Sequence, residues 1–152
     1  MTEVLFYHML SRTLEQALPP LLAKCLERGW RVAVQATSEE RVAALDAHLW
    51  TFDEESFLPH GPAGERDAAD QPILLTTSAA NPNGAAVRFL VDGADLGEAA
   101  AYAPYVRAVF LFDGHDEDAV AAARVRWTML KAAGFEVAYW RQSEAGRWER
   151  KG

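Results

Sequence analysis

The fold is decided by residues 107–142, RAVFLFDGHDEDAVAAARVRWTMLKAAGFEVAYWRQ. This stretch begins with an apolar run of strand length, Arg107–Phe112, and ends with another, Phe135–Gln142. Between the two runs, Asp116–Ala133 carries apolar residues at helical spacing, and Gly134 follows as a residue type that commonly ends helices. The order strand, helix, strand is typical of a sheet with parallel strands.

The N-terminal part of the chain shows the same alternation. Val4–Tyr7 and Trp30–Gln35 are predicted strands, and the helical pattern of Leu14–Arg28 lies between them. The pair Pro19-Pro20 falls inside that pattern. Because proline removes a helix hydrogen bond, the pair predicts either a kink or a helix that starts near Leu18.

The middle of the chain predicts one more helix and then three strands. Thr37 and Glu40 have the spacing of a capping box, which predicts a helix running to about Trp50. Strands without a helix between them predict some antiparallel pairing in this region. The three predicted strands are Phe57-Leu58, Ile73–Thr77 and Val87–Val91.

Taken together, these elements predict a single α/β domain over residues 1–142, followed by a basic C-terminal tail over residues 143–152. The predicted architecture is a three-layer α/β/α fold around an open, mostly parallel mixed sheet. Its topology is Rossmann-like but lacks a nucleotide-binding loop. The segment His8–Arg12 after the first strand contains no glycine, and no GxxxxGK[ST] motif occurs.

Composition and charge narrow the possible functions. The 152 residues are 50% hydrophobic with a net charge of −7, which argues against nucleic-acid binding over the whole surface. Residues 1–123 hold 8 Lys/Arg and 19 Asp/Glu, whereas residues 124–152 hold 7 Lys/Arg and 3 Asp/Glu. Direct DNA binding by this basic end is therefore one open alternative. The single cysteine, Cys25, allows no internal disulfide, and no membrane span or signal peptide is predicted, so we expect a cytoplasmic location.

A second alternative is a nucleotide- or metal-dependent α/β enzyme that uses His8 and the polar segment Asp113–Asp118. A carboxylate-rich segment can bind a metal, yet acidic residues at the start of a helix also complement its dipole, and we favour that structural role. The four histidines show no HxxxH or HxH spacing. We therefore predict no catalytic residues, no metal site and no cofactor.

The last helix carries the most informative surface. On a helical wheel, Val120, Ala123, Trp127 and Leu130 fall on one face, which is predicted to pack on the sheet. Arg124, Trp127, Thr128 and Lys131 form one ridge at the border of that face, so two cations flank an aromatic ring. Val125 and Met129 point the other way, where they are expected to be exposed or to contact a neighbouring element or a partner. Such a ridge suits a short acidic peptide that ends in a hydrophobic residue and a free carboxylate.

The chain resembles the chi subunit family of bacterial DNA polymerase III over nearly its full length. The most specific pattern is Leu49-Trp50 followed by Ser56-Phe57-Leu58-Pro59-His60. Two further patterns support it. They are the strand Phe6-Tyr7 leading through a helix to Arg31-Val32, and Arg124-Val125-Arg126-Trp127 leading to Ala133-Gly134-Phe135.

The resemblance implies an accessory subunit in DNA replication with no catalytic activity of its own. It implies binding to the acidic C-terminal tail of single-stranded-DNA-binding protein, which links the clamp loader to coated template, and in some bacteria binding to a psi partner. DNA would be contacted only indirectly. The family's tail-binding arginine, aromatic residue and phenylalanine fall on Arg124, Trp127 and Phe57. Thr128 replaces the family's lysine, and Lys131 lies one turn further on. Trp50 is a candidate for a psi-type surface.

Overall fold

The computed structural model describes residues 2–51, 60–62 and 68–152. Within this part of the chain, eight strands form one mostly parallel sheet with three α-helices, which confirms the predicted α/β class. The strands are β1 (Glu3–Met9), β2 (Val32–Gln35), β3 (His60–Pro62), β4 (Ile73–Thr76), β5 (Val87–Leu90), β6 (Arg107–Asp113), β7 (Glu136–Gln142) and β8 (Trp148–Arg150). The helices are α1 (Leu14–Glu27), α2 (Glu39–Thr51) and α3 (Glu117–Ala132).

The strands follow one another across the sheet in the order β3-β4-β2-β5-β6-β1-β7-β8. Every neighbouring pair from β3 to β7 is parallel. The predicted antiparallel pairing in the middle of the chain is therefore wrong. It is wrong because residues 77–86 cross from β4 over β2 to β5 without forming a helix.

The basic segment 143–152, expected from the sequence to be a tail, contains an additional strand. Strand β8 runs antiparallel to β7, with Gln142 opposite Trp148 and Trp140 opposite Arg150. It is the edge strand of the sheet. This strand was not predicted because it is only three residues long and two of them, Glu149 and Arg150, are charged.

Helix α1 begins at Leu14 and continues through both prolines, so the predicted later start is wrong. Pro19 has no N–H, which leaves the carbonyl of Glu15 without its usual donor in the helix. The side chain of His48 in α2 contacts this carbonyl instead, with Nε2 2.6 Å from the oxygen. A neighbouring helix thus supplies the missing hydrogen bond.

Helix α2 starts one position later than the capping-box spacing predicts. The side chain of Ser38, not that of Thr37, accepts a hydrogen bond from the backbone N–H of Arg41 at 3.1 Å. The carbonyl of Ser38 also accepts the first helical bond, from Val42. Ser38 is therefore the residue that satisfies the start of this helix.

Helices α1 and α2 cover one face of the sheet, and α3 covers the other. Leu18 and Leu22 of α1 and Leu45 of α2 join the core of the first face. On the second face, Ala123 and Leu130 of α3 pack with Phe6 and other residues of β1, β5 and β6. The arrangement is the predicted three-layer architecture.

One arginine is fully buried in this fold. Arg88 in β5 lies opposite Ala33 and Ala108, whose small side chains leave room for it. Its guanidinium donates to the side chain of Gln35 at 2.7 and 3.1 Å and to the hydroxyl of Tyr105 at 3.1 Å. It also donates to the carbonyls of Ser78 and of Ala80, both in the crossover 77–86. The cation therefore holds a helix-free connection against the sheet.

Candidate binding site on the third helix

Helix α3 is placed by strong signals at both ends. The carboxylate of Asp116 accepts hydrogen bonds from the backbone N–H groups of Asp118 and Ala119, at 3.0 and 3.2 Å. Gly134 follows the helix with a φ of 94°, a conformation that glycine adopts readily. Both ends agree within one residue with the predicted helix Asp116–Ala133, so the ridge residues keep the helical spacing predicted for them.

The predicted inward face of α3 is confirmed. Ala123 and Leu130 are buried, and Trp127 is half-buried against the same core. Val125 points away from the sheet and is 69% exposed, as the helical wheel predicts. Met129 is partly buried and packs against the core of the sheet, which is one of the two outcomes expected for it.

Trp127 is the centre of the site. The centroid of its ring lies 5.6 Å from that of Phe6 and 5.9 Å from that of Tyr139, and both pairs are in edge-to-face geometry. The Lys131 ammonium lies 5.8 Å from the centroid of the indole, close enough for a cation–π attraction. The indole is therefore held rigidly by two other rings and leaves part of its surface exposed beside a cation.

Arg124 and Lys131 are exposed on the same ridge, and within the described residues neither forms an ion pair. Thr128 lies between them and donates its hydroxyl hydrogen to the carbonyl of Arg124 at 3.0 Å. The ridge thus presents two cations with free hydrogen-bonding capacity. Phe57 and the side chain of Trp50 lie outside the described residues, so their predicted roles stay predictions.

Three further residues lie beside the ridge, and no sequence pattern connects them with it. They are His8, Tyr139 and Arg141. Nδ1 of His8 is 2.5 Å from the hydroxyl oxygen of Tyr139. Burial raises the pKa of Tyr139, and the charges of Arg124 and Arg141 act in the opposite direction. Two guanidinium groups, one from α3 and one from β7, therefore face the same tyrosine. Long-range strand pairing creates this neighbourhood, and no spacing in the sequence indicates it.

Gly152 closes the other side of the aromatic group. A Cβ at this position would be in ordinary van der Waals contact with both residues, 3.4 Å from the ring of Trp127 and 3.5 Å from Cβ of Tyr139. The carbonyl of Tyr139 accepts a hydrogen bond from Lys151 at 2.7 Å. The segment after β8 therefore continues along β7 and borders the ridge.

His8 makes the stability of this region depend on pH. Burial lowers the pKa of His8 below its ordinary value of 6.5, and Arg141 and Arg124 lower it further, whereas a backbone hydrogen bond with Gly114 raises it. The folded protein therefore binds this proton less readily than the unfolded chain. The stabilising contribution is present above pH 6.5 and is lost as the pH falls below 6.5 through the folded-state pKa.

We expect wild type to lose more unfolding free energy than His8→Gln when the pH falls from neutral to about 5. Urea denaturation followed by circular dichroism at a series of pH values measures the difference. All other ionisable groups are present in both proteins, so the comparison isolates the contribution of His8. Parallel pH profiles for the two proteins would contradict the assignment to His8.

Three residues of the polar segment Asp113–Asp118, considered above for an enzyme site, make structural hydrogen bonds. They are Asp113, His115 and Asp116. Asp116 caps α3, and the carboxylate of Asp113 accepts a hydrogen bond from the backbone N–H of His115 at 2.9 Å. Nε2 of His115 lies 2.7 Å from the carbonyl oxygen of Leu10. Within the described residues, no three His, Cys, Asp or Glu side chains are grouped so that they could hold a metal ion.

A crevice of about 810 Å³ lies near the carboxyl ends of β1 and β6, the usual ligand position in open α/β sheets. Three arginines line it. Arg41 contacts Glu15 at 2.5 Å and Asp92 at 2.7 Å, and Arg126 contacts Asp95 at 2.8 Å, whereas Arg12 is exposed and forms no ion pair with the described residues. Five carboxylate side chains line the same crevice, and this acidic excess disfavours a phosphate group there.

The fold and the ridge define a three-layer α/β domain with an unpaired cation–aromatic surface on its last helix. The chain matches the family model described as "DNA polymerase III chi subunit, HolC" over residues 1–138, and it belongs to that family. This confirms the resemblance identified from the sequence. Tyr139, Arg141 and β8 lie beyond the matched residues.

A curated relative agrees with the family assignment. The probable DNA polymerase III subunit chi of Rickettsia prowazekii (strain Madrid E) is 26% identical over 107 residues. The aligned region covers 70% of this chain and 65% of the relative, slightly less than two thirds of its length. In the described part of the chain, none of the helices combines the length and apolar character needed to cross a bilayer.

Proposed function

We propose that this protein is a non-catalytic accessory subunit of the DNA polymerase III holoenzyme that binds the acidic C-terminal tail of single-stranded-DNA-binding protein. It would thereby link the clamp loader to the coated template, in the cytoplasm. The observation that carries the proposal is the rigid Trp127 ring flanked by Arg124 and Lys131, two cations without carboxylate partners in the described chain.

The chemistry of the ridge fits a peptide with a terminal carboxylate next to a hydrophobic side chain. Arginine can grip a carboxylate with two parallel hydrogen bonds, and Arg124 is exposed for that contact. The hydrophobic side chain would lie on the exposed part of Trp127. Lys131, with Arg141 further along β7, would attract the acidic residues that precede it.

Two aspects of the proposal rest on the resemblance alone. The first is the role of Phe57, and the second is attachment to the clamp loader or to a psi subunit through a surface that includes Trp50. Thr128, where the family has lysine, removes one cation from the ridge. We therefore propose a modest affinity that decreases as salt screens the exposed charges.

The test is a pull-down of the host's single-stranded-DNA-binding protein by the full chain, with the intact partner and with a partner lacking its final acidic residues. Titration calorimetry at low salt with the isolated tail peptide gives the affinity. We expect binding of the intact partner and of the peptide, and no binding of the truncated partner. Equal capture of both partners, or no heat with the peptide at low salt, would contradict the proposal.

A further inference from the structure

A second binding surface lies on the opposite face of the sheet, where α1 ends and β7 and β8 extend beyond it. A cavity of about 250 Å³ opens there over an apolar floor that includes Leu5 and Val109. Four aromatic residues line it, namely Tyr7, Trp30, Trp140 and Trp148, and we call it the aromatic cleft. Three cations also line it, and none of its described lining residues is acidic.

Three aromatic rings of the cleft are partly exposed, and they pack against one another. Tyr7 stacks on Trp140 with 6.5 Å between ring centroids and 26° between planes. The ring of Trp148 meets Tyr7 edge-on at 4.7 Å. All three are only half-buried against the core of the sheet. They therefore offer flat apolar surface without the cost of ordering a mobile side chain.

Two of the three cations of the cleft lie against the fourth ring, that of Trp30. The guanidinium groups of Arg28 and Arg107 lie 5.2 and 5.3 Å from the ring of Trp30. A guanidinium stacked on a ring keeps the N–H groups of its rim available for an anion. Arg107 is also 3.3 Å from the carboxylate of Glu3, whereas Arg28 and the exposed Lys24 form no ion pair with the described residues.

Two buried donors of the cleft have no acceptor. The indole Nε1 of Trp140 and the Nε of Arg107 are both inaccessible to solvent, and neither donates a hydrogen bond within the described structure. An unsatisfied buried donor costs about 1–3 kcal/mol. Because both atoms are buried, an acceptor of a ligand would reach them only after a small movement of these two side chains, and it would then remove this cost.

We infer that the aromatic cleft binds a nucleotide unit of single-stranded nucleic acid. Stacking of a base on aromatic rings, with nearby cations on its phosphates, is how proteins bind single strands without sequence preference. A cavity of about 250 Å³ accommodates one base. A nucleic acid carries a phosphate at every unit, which matches three cations around a cavity of that size better than an acidic peptide does. The net charge of −7 confines such binding to this local cluster.

The test uses the full-length chain and fluorescence anisotropy of a short fluorescein-labelled oligodeoxythymidylate at low salt. The variants are Lys24→Ala with Arg28→Ala, which removes two exposed cations, and Trp140→Phe, which keeps a ring but removes the donor. The control is Arg126→Ala on α3, a loss of one cation on the opposite face. Thermal unfolding of each variant shows that it is folded.

We expect saturable binding by wild type and by Arg126→Ala. The double variant should bind at least about tenfold more weakly, and its slope of log affinity against log salt should fall by about 1.4, or about 0.7 for each lost phosphate contact. Trp140→Phe should weaken binding severalfold with the salt slope unchanged. No binding by folded wild type, or equal binding by the double variant, overturns the inference.

An acidic peptide that binds the cleft in place of the oligonucleotide, with sensitivity to Arg28→Ala, would also overturn it. This surface and the α3 ridge lie on opposite faces of the sheet. Failure here therefore leaves the tail-binding proposal unaffected, and failure of the tail titration leaves this inference unaffected.

Discussion

An Arg88→Met variant is expected to lose about 3–5 kcal/mol of unfolding free energy, the largest effect of a single substitution that this structure predicts. The methionine would fit the space but would leave the oxygen of Gln35 and the carbonyls of Ser78 and Ala80 without their donor. Each buried acceptor left unsatisfied costs about 1–3 kcal/mol. Urea denaturation followed by circular dichroism measures the loss.

Two further variants sharpen this test. Arg31→Ala removes an exposed arginine that also donates to loop carbonyls, those of Ala69 and Asn83. We expect it to cost less than about 1 kcal/mol, because water can replace its hydrogen bonds. Arg88→Lys keeps the charge with fewer donors and should fall between the two. If Arg88→Met were as stable as Arg31→Ala, the crossover 77–86 would not depend on the buried cation.

The second large effect concerns the ridge on α3. We expect Arg124→Ala to weaken binding of the acidic tail peptide by about ten- to one-hundredfold, because hydrogen bonds to a charged group contribute about 1.5–3 kcal/mol and each 1.4 kcal/mol is tenfold in affinity. The matched control is Arg126→Ala, the same substitution two residues further along the helix. Arg126 instead contacts Asp95 at 2.8 Å and lies over Phe110 at 5.6 Å. Calorimetry should show near wild-type affinity for it.

The same titration can test a gain of affinity. Thr128 is exposed, and its hydroxyl donates only to the carbonyl of Arg124 in its own helix. Thr128→Lys adds a third cation to the ridge, so we expect tighter peptide binding and a steeper salt dependence. Trp127→Tyr should retain most of the affinity, whereas Trp127→Ala should not. A Thr128→Lys variant with unchanged affinity and salt dependence would show that the peptide does not pass this position.

The ends of α3 and the apolar runs of this chain were predictable because local signals determine them. Asp116 and Gly134 mark α3 within one residue, and the helical wheel placed Ala123, Trp127 and Leu130 on the sheet. The parallel pairing of β4 and β5 with β2 was not predictable in the same way. A helix-free crossover has no periodic pattern, and it is stabilised by Arg88, a residue type that is rarely buried.

The same difference between local and long-range signals separates the residues of the candidate site that were predictable from those that were not. Arg124, Trp127, Thr128 and Lys131 share one helix, so their spacing alone brings them together. His8, Tyr139 and Arg141 reach the site from β1 and β7, which pair across more than half of the sequence. Without a pairing register, nothing marks these three residues as neighbours of the ridge.

The contact between His48 and the carbonyl of Glu15 joins α1 and α2 at the point where Pro19 interrupts the hydrogen bonds of α1. Opening of either helix breaks that contact and leaves a carbonyl without a donor. We therefore expect local opening of the two helices to be coupled at this point. The proline that removes a hydrogen bond from one helix thus creates a link to the next.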